Sequence, residues 1–115
     1  MSDDYNGYAN YETWCVCLWT DNEQGSQLAA LELARECLRE AAAHPNVVGG
    51  IWTEDQAARF AFEERFRALH ADDAPELGAS VYSDLLTHAL GRVDWTEVAR
   101  RYVDEAREEA AQAAK

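Results

Sequence analysis

The sequence has few basic residues: ten Lys and Arg stand against 22 Asp and Glu in 115 residues, so the formal net charge is −12. A charge of this size and sign repels nucleic acids and anionic membrane surfaces. Long apolar runs are absent as well, and none approaches the roughly 20 residues that span a bilayer. We therefore expect neither direct nucleic-acid binding nor a membrane partner.

A disulfide framework is also excluded, because three cysteines are too few and odd in number. We expect free thiols and a cytoplasmic protein. Cys15 and Cys17 suggest a metal site, but side chains two residues apart on a helix diverge by about 200° and cannot chelate one ion together. Cys37 is the third thiol, and buried structural cysteine is the preferred interpretation of all three.

Sequence signatures of catalysis are missing too. The chain has no Gly-rich phosphate loop, no nucleophile elbow and no paired-carboxylate signature. Its histidines are isolated, and the acidic pair Asp72-Asp73 falls in a segment expected to be a loop, which suits neither acid–base catalysis nor tight metal binding. We expect no enzyme activity, no cofactor and no bound metal.

The acids are unevenly distributed along the chain. Segments 1–34 and 68–91 contain six and four acids and no Lys or Arg, whereas segments 35–67 and 92–115 each contain six acids and five bases. Opposite charges four residues apart in the mixed segments indicate helix surfaces that are paired locally. The acids of the two acidic segments are expected to pair with arginines distant in sequence, to form a solvated face, or to form an acidic interaction surface. Their acids are Asp3, Asp4, Glu12, Asp21, Glu23, Glu32, Asp72, Asp73, Glu76 and Asp84.

The pattern of start signals and apolar spacing predicts an all-α fold, a single-domain compact bundle of about five helices over residues 1–115. Residues 1–10 indicate an extended or turning N-terminal arm. Asn10 is a candidate N-cap for a helix that runs to about Thr20. Six consecutive apolar residues, 14–19, predict that this helix is buried on every side, with a buried strand as the alternative.

A second helix is expected from Asp21 or Asn22 to about Ala43, where Pro45 prevents its extension. Its inward stripe has three-and-four spacing. The stripe residues are Leu28, Leu31, Ala34 or Arg35, and Leu38. Segment 47–52 is a connector with a Gly pair and could form a short extended piece.

The third and fourth helices have clear start signals. Thr53 and Gln56 form a capping box for a helix to about His70, and Ser80 caps a helix that ends at Gly91. The acidic loop 71–79 joins them. The residues expected to point inward are Ala58, Phe62, Phe66 and Leu69, then Val81, Leu85 or Tyr82, Leu86 and Leu90.

The last helix has the strongest start signal. Asp94 is its N-cap and Glu97 its third residue, and Val93 and Val98 occupy the positions of a hydrophobic staple. Val98, Tyr102 and Ala106 share its inward face. The tail 108–115 lacks large apolar side chains and is expected to fray.

Aromatic residues are concentrated at the start of the chain, where Tyr5, Tyr8, Tyr11, Trp14 and Trp19 account for five of the twelve. Trp14 and Trp19 are expected to anchor the core. Tyr5 and Tyr8 precede the first helix, and tyrosine is common at binding hot spots, so we expect them on a contact surface.

Two stretches carry a resemblance to a known family. The string N-Y-E-T-W at residues 10–14, followed by D-N-E at 21–23, resembles an N-terminal motif of small proteins of phages and other mobile elements. The stretch 84–99, with V-D-W-T-E-V-A at its end, is similar to the C-terminal segment of the same family. The resemblance covers about a third of the chain, implies a mobile-element origin, and carries over no catalytic residue.

The leading hypothesis is an acidic protein that acts in the bacterial host cytosol and inhibits or modulates a host protein. A defence complex, as for an anti-CRISPR protein, or a nucleic-acid-binding groove reached by DNA mimicry would be suitable targets. The alternative is a structural or assembly role as a small homo-oligomer, such as a homodimer. The residues expected to contact the partner are Asp3, Asp4, Tyr5, Tyr8, Glu12, Asp21, Glu23, Asp72, Asp73, Glu76 and Asp84.

Overall fold

The structure, a computed structural model, describes residues 5–114. Within this range the chain forms six α-helices and no β-sheet, so the predicted all-α bundle is confirmed. In chain order the helices are α1 (Tyr11–Asn22), α2 (Gln24–Ala41), α3 (Pro45–Val48), α4 (Glu54–Asp73), α5 (Val81–Arg92) and α6 (Trp95–Ala113).

Four predicted caps are present. The side chains of Asn10, Ser80 and Asp94 each accept a hydrogen bond from the backbone amide three residues later. Thr53 and Gln56 form the full capping box, in which each side chain accepts from the backbone amide of the other. Each cap satisfies an amide that the first turn of a helix leaves unpaired, which explains why these starts were readable from sequence.

The boundary between α1 and α2 differs from the prediction. Neither Asp21 nor Asn22 caps α2: both belong to α1, and Glu23 alone separates the two helices. The Asp21 carboxylate accepts a hydrogen bond from Tyr102 and forms an ion pair with Arg101, so it is not available as a cap. The α2 helix ends at Ala41, two residues before the predicted end.

Segment 47–52 does connect α2 to α4, but the short extended piece that it could have formed is absent, because Val47 and Val48 belong to the short helix α3. Pro45 occupies its first turn, where a missing amide hydrogen costs nothing. His44 caps the turn, since its Nδ1 accepts from the Asn46 amide at 3.0 Å. Gly50, with φ of +77°, then redirects the chain toward α4.

The core lies between α2, α4 and α6, which pack pairwise. Phe62 and Tyr102 are its largest fully buried side chains, and the Phe62 ring stacks on Phe66 with centroids 4.9 Å apart. Most other core positions are small, which lets the helix backbones approach closely. The buried small residues of α2, α4 and α6 are Ala30, Ala34, Cys37, Ala41, Ala57, Ala58, Ala99 and Ala106.

The prediction of which residues point inward is confirmed in part. The buried residues include Leu31, Ala34, Phe62 and Phe66, and all the residues predicted for the inward face of α6 are buried as well. The outermost members of two stripes are not, since Leu28 and Leu69 are about half exposed. Arg35 points outward and pairs with Glu109 instead of joining the core.

The expectation that α1 is buried on every side is wrong. Only Thr13, Cys17 and Thr20 of this helix are buried, Trp14 is half-buried, and Trp19 is 70% exposed. The helix is not buried on every side because it lies at the periphery of the three-helix core and turns only one narrow face toward it. Trp19 therefore does not anchor the core.

Helix α5 also departs from the prediction. All its residues are described and none is buried, and Val81, Tyr82 and Leu85 are more than 60% exposed. Leu86 and Leu90 are half-buried, and Leu90 packs against the core. The main helix neighbour of α5 is the peripheral α1, and the apolar side chains of Val81, Tyr82 and Leu85 stay exposed.

The two motif regions at opposite ends of the chain meet in space. The Thr13 hydroxyl, fully buried, donates to Asn10 Oδ1 at 2.6 Å and accepts from the Asp94 amide at 2.9 Å. Glu97 Oε1 accepts from the Ala9 amide at 3.0 Å, so this side chain holds the N-terminal segment. The cap of α1 and the start of α6 therefore form one hydrogen-bonded junction. Beyond it, α6 continues to Ala113, and the expected fraying of its exposed tail stays a prediction.

Replacing Phe62 with Ala is expected to destabilise the fold by about 3–5 kcal/mol, because it removes a fully buried ring and leaves a cavity. The matched control is Phe60→Ala on the same helix, where the ring is 46% exposed and the expected cost is below about 1 kcal/mol. Urea unfolding followed by circular dichroism measures both. Similar losses in the two variants would contradict the assignment of the core to the Phe62 side of α4.

Candidate interaction surface

The N-terminal arm begins with a tight hairpin turn. Tyr5 and Tyr8 exchange two backbone hydrogen bonds of 2.7 and 2.9 Å around Asn6–Gly7, where φ is +50° and +89°. Positive φ at both central residues is the requirement of a type I′ turn, for which Asn-Gly is the preferred sequence. The Tyr5 ring lies 5.3 Å from Tyr11 and 4.9 Å from Trp14 and is 40% exposed. Asp3 and Asp4 lie outside the described residues.

Tyr8 and Asp21 belong to a polar network between the arm, α1 and α6. Arg101 donates to the Tyr8 hydroxyl and pairs with Asp21, and Tyr102 donates to Asp21 Oδ1 at 2.8 Å. Burial raises the pKa of the Tyr102 hydroxyl, and the hydrogen bond to Asp21 raises it further, so the phenol keeps the proton that it donates. These two candidate contact residues therefore hold the fold together.

Three of the ten acids form ion pairs with arginines, which is one of the outcomes that the charge distribution left open. Besides Asp21, Glu12 pairs with Arg92 at 3.3 Å, and Glu32 pairs with Arg35 and Arg39. Glu12 and Arg92 are 80 positions apart, a separation that no local charge pattern reveals. Neutralised carboxylates of this kind contribute little to an acidic surface.

The predicted local pairing of the mixed segments is also wrong. Arg59 donates to Asp104 at 2.6 Å and Arg107 to Asp55 at 2.9 Å, so both arginines reach the neighbouring helix and not a residue four positions away. Pairs between packed helices have fixed geometry, whereas exposed neighbours on one helix gain only about 0.2–0.5 kcal/mol. The acids of the mixed segments thus help to join α4 to α6.

The remaining candidate acids share one end of the bundle, where the α1–α2 boundary, the end of α4 and the start of α5 lie. None of them forms an ion pair with another residue of the range 5–114. We refer to this set as the acidic rim. Its members are Glu23, Asp72, Asp73, Glu76 and Asp84.

An open groove lies beside the acidic rim, between the end of α4, the 74–80 loop and α5. We refer to it as the α4–α5 groove. Its volume is about 480 Å³, and its walls are mostly apolar. Trp95 closes its floor and is fixed by a hydrogen bond from its indole nitrogen to Leu90 O at 3.3 Å. Apolar lining residues include Pro75, Leu77, Leu86, Leu90 and Trp95.

His70 stands at the edge of this groove. Its ring contacts Phe66 and Trp95, with centroid distances of 4.8 and 5.5 Å. Burial lowers the pKa of His70 and outweighs the opposite effect of Asp73, so the imidazole is neutral at pH 7. Arg67 is then the one cation among the lining residues.

Sequence reasoning found the acids of the rim but missed the groove. The one sequence signal for the groove was an ambiguity in α5: the apolar stripe expected to face inward could include either Leu85 or Tyr82. A helix with apolar residues on two sides has more apolar surface than one core contact can cover.

Metal and thiol chemistry finds no support in the geometry. No three His, Cys, Asp or Glu side chains among the described residues are placed to hold one metal ion. Burial raises the pKa of the Cys17 thiol to about 11 and raises that of Cys37.

In residues 5–114, no helix is long and apolar enough to cross a membrane.

The two buried thiols are expected to be nearly inert in the folded protein. A pKa of about 11 leaves about one Cys17 thiolate in a thousand at pH 8, and the fraction rises about tenfold per pH unit up to that pKa. The Cys15→Ser variant retains only Cys17 and Cys37, and iodoacetamide should modify it slowly until denaturant is added. Rapid modification of the folded variant at pH 8 would contradict the burial of these thiols.

Comparison with known proteins gives one match. No curated protein and no solved structure matches the chain. The model of a family described as "Family of unknown function (DUF7249)" matches residues 1–111, a range that includes both motif regions, the acidic rim and the α4–α5 groove. Because the match covers nearly the whole sequence, the chain belongs to the Family of unknown function (DUF7249).

Proposed function

We propose that this protein is a non-enzymatic binding protein of a phage or another mobile element, which inhibits or modulates a host protein by docking one of its basic, amphipathic segments. The segment occupies the α4–α5 groove. One observation carries the proposal: four carboxylates without an arginine partner in residues 5–114 stand next in sequence to residues that line an open apolar groove. They are Asp72, Asp73, Glu76 and Asp84.

The apolar part of the contact comes from α5 and the groove floor. Leu86 and Leu90 line the groove and are half-buried, and α5 also exposes the apolar side chains of Val81, Tyr82 and Leu85 next to it in sequence. Covering such surface is favourable by about 25 cal/mol per Å² of apolar area removed from water. An amphipathic helix laid in a hydrophobic groove is a common way to bury it.

The charged part of the contact selects a basic partner. Asp72 and Asp73 lie at the end of α4, Glu76 follows in the loop, and Asp84 lies in the first turn of α5. These carboxylates belong to the helices and the loop that form the groove, and they favour cationic residues flanking an apolar stripe. Rim charges of this kind mainly raise the association rate and exclude acidic competitors.

Mimicry of duplex DNA has less support than recognition of a protein segment. A duplex presents about one charge per 1.7 Å along its axis, whereas the fold neutralises Glu12, Asp21 and Glu32 with arginines. What remains is a small set of unpaired acids, the acidic rim, beside an apolar groove. A peptide-like segment matches both parts, and a phosphate backbone matches only one.

Self-assembly through the same surface is disfavoured by symmetry. A twofold homodimer brings the same patch of each copy together, so each acidic rim would face the other. Repulsion between like charges opposes this contact at low salt. Sedimentation at low and high salt tests it, since the proposal expects a monomer under both conditions.

The test uses a designed helical peptide of leucine and lysine, with a leucine–glutamate peptide of the same length as its counterpart. The lysine peptide is expected to bind and to shift the backbone amide signals of α5 and of the 74–80 loop in ¹H–¹⁵N NMR spectra. Neutralising the rim with Asp72→Asn, Glu76→Gln and Asp84→Asn should weaken binding about tenfold at low salt. Leu86→Gln should weaken it by removing apolar contact.

The matched control neutralises three acids elsewhere, Glu36, Glu105 and Glu108, none of which forms an ion pair within residues 5–114. This triple Gln variant has the same net charge as the rim variant and should bind the peptide as the wild type does. Equal weakening in the two triple variants would show that only total charge matters. That outcome, or shifts confined to other surfaces, would refute the docking site.

The inhibitory role is tested by affinity capture from host lysate at about 0.05 and 0.5 M salt. The expected partners are host proteins that are captured by the wild type and by the control variant but not by the rim variant. The lysine peptide should displace them, and their activity should fall when the wild-type protein is added. A partner that is retained by the rim variant would contradict the proposed surface.

A further inference from the structure

A second, smaller cavity adjoins the α4–α5 groove on the other side of His70. It lies between the α1–α2 boundary and the last turns of α4, and its volume is about 210 Å³. Trp19 forms one wall with an indole that is 70% exposed, and the buried Phe66 contributes to its inner side. A large aromatic face is thus presented to solvent beside a cavity of side-chain size.

Two carboxylates line the same cavity from opposite elements. Glu23 stands at the N-cap position of α2 but makes no side-chain hydrogen bond to that helix, and Asp73 belongs to the last turn of α4. Neither forms an ion pair within the range 5–114. His70 borders the cavity, and the lowered pKa of His70 leaves it uncharged at pH 7, so no cation of the lining competes for the carboxylates.

We propose that this cavity receives the side chain of one arginine of the partner's basic segment. Its guanidinium stacks on the indole of Trp19 and forms ion pairs with Glu23 and Asp73. The assignment rests on the proposed function in one respect, that the arginine belongs to the segment docked in the adjoining groove. The cavity itself is defined by Trp19, Glu23 and Asp73, which lie outside that groove.

Arginine suits this cavity better than lysine. A guanidinium is planar and stacks on an aromatic face, and its fork of N–H donors matches carboxylate oxygens. It is also more weakly hydrated than an ammonium group, so less water binding is lost when it enters a half-enclosed site. Tryptophan is the aromatic residue that attracts cations most strongly.

The test uses two small probes, N-acetyl-arginine amide and the neutral, nearly isosteric N-acetyl-citrulline amide. The four tryptophans give separate indole N–H signals in ¹H–¹⁵N NMR spectra, and Trp19→Leu identifies that of Trp19. The arginine probe is expected to shift the Trp19 signal with millimolar affinity. The citrulline probe should bind at least five times more weakly, and added salt should weaken only the arginine probe.

Variants separate the proposed contacts from general charge. Trp19→Leu should abolish binding without loss of fold, since the indole is mostly exposed. Glu23→Gln and Asp73→Asn should each weaken binding about three- to tenfold, whereas Glu36→Gln should leave it unchanged. Equal binding of both probes, shifts confined to other indoles, or full binding by Trp19→Leu would each overturn the proposal.

Each of the two binding proposals can be refuted without refuting the other. If the lysine–leucine peptide binds the α4–α5 groove but the arginine probe leaves Trp19 unmoved, only the arginine cavity is refuted. If the probe binds at Trp19 and the peptide does not bind, the cavity stands and the groove is refuted. When both hold, placing an arginine at one end of the peptide should tighten its binding, and Trp19→Leu should remove that gain.

Discussion

The shortage of positive charge is the constraint that organises this molecule. Nine arginines and one lysine face 22 acids, and six arginines form ion pairs that join two helices. Those pairs tie α2, α4 and α6 to one another and fasten α1 to α5 and α6. None of these bridging arginines reaches the end formed by Glu23, the last turn of α4 and the start of α5, so the carboxylates there stay unpaired within residues 5–114, as do Glu36, Glu105 and Glu108 elsewhere.

Much of the fold could be predicted from sequence because helix starts depend on local chemistry. Asn10, Thr53, Ser80 and Asp94 each act on an amide three residues away, so a short window contains both partners. Burial could not be predicted in the same way. The apolar run that ends at Trp19 has the composition of a buried helix, and only the packing of α2, α4 and α6 leaves α1 at the periphery.

The candidate site, too, could be predicted only where the signal is local in sequence. The rim acids of segment 68–91 were found because no basic residue occurs near them in sequence and none reaches them in the fold. Glu12 and Asp21 looked identical in sequence, but Arg92 and Arg101 lie beside them in space from about 80 positions away. The grooves were beyond sequence reasoning because each has walls from several segments. The cavity beside Trp19, for example, is lined by residues of α1, α2 and α4 together with Glu23.

The loose attachment of α5 and the charge of the rim have one physical cause in common. Closing α5 onto α4 would bury Leu86 more fully, but it would also bring Asp84 and Glu76 toward Asp72 and Asp73. Burial of one leucine contributes about 1.5–3 kcal/mol, whereas several unpaired carboxylates resist approach and desolvation. The occupant proposed above carries positive charge and would remove this conflict, since it would cover the apolar wall and neutralise the acids together. We propose a basic partner for this reason.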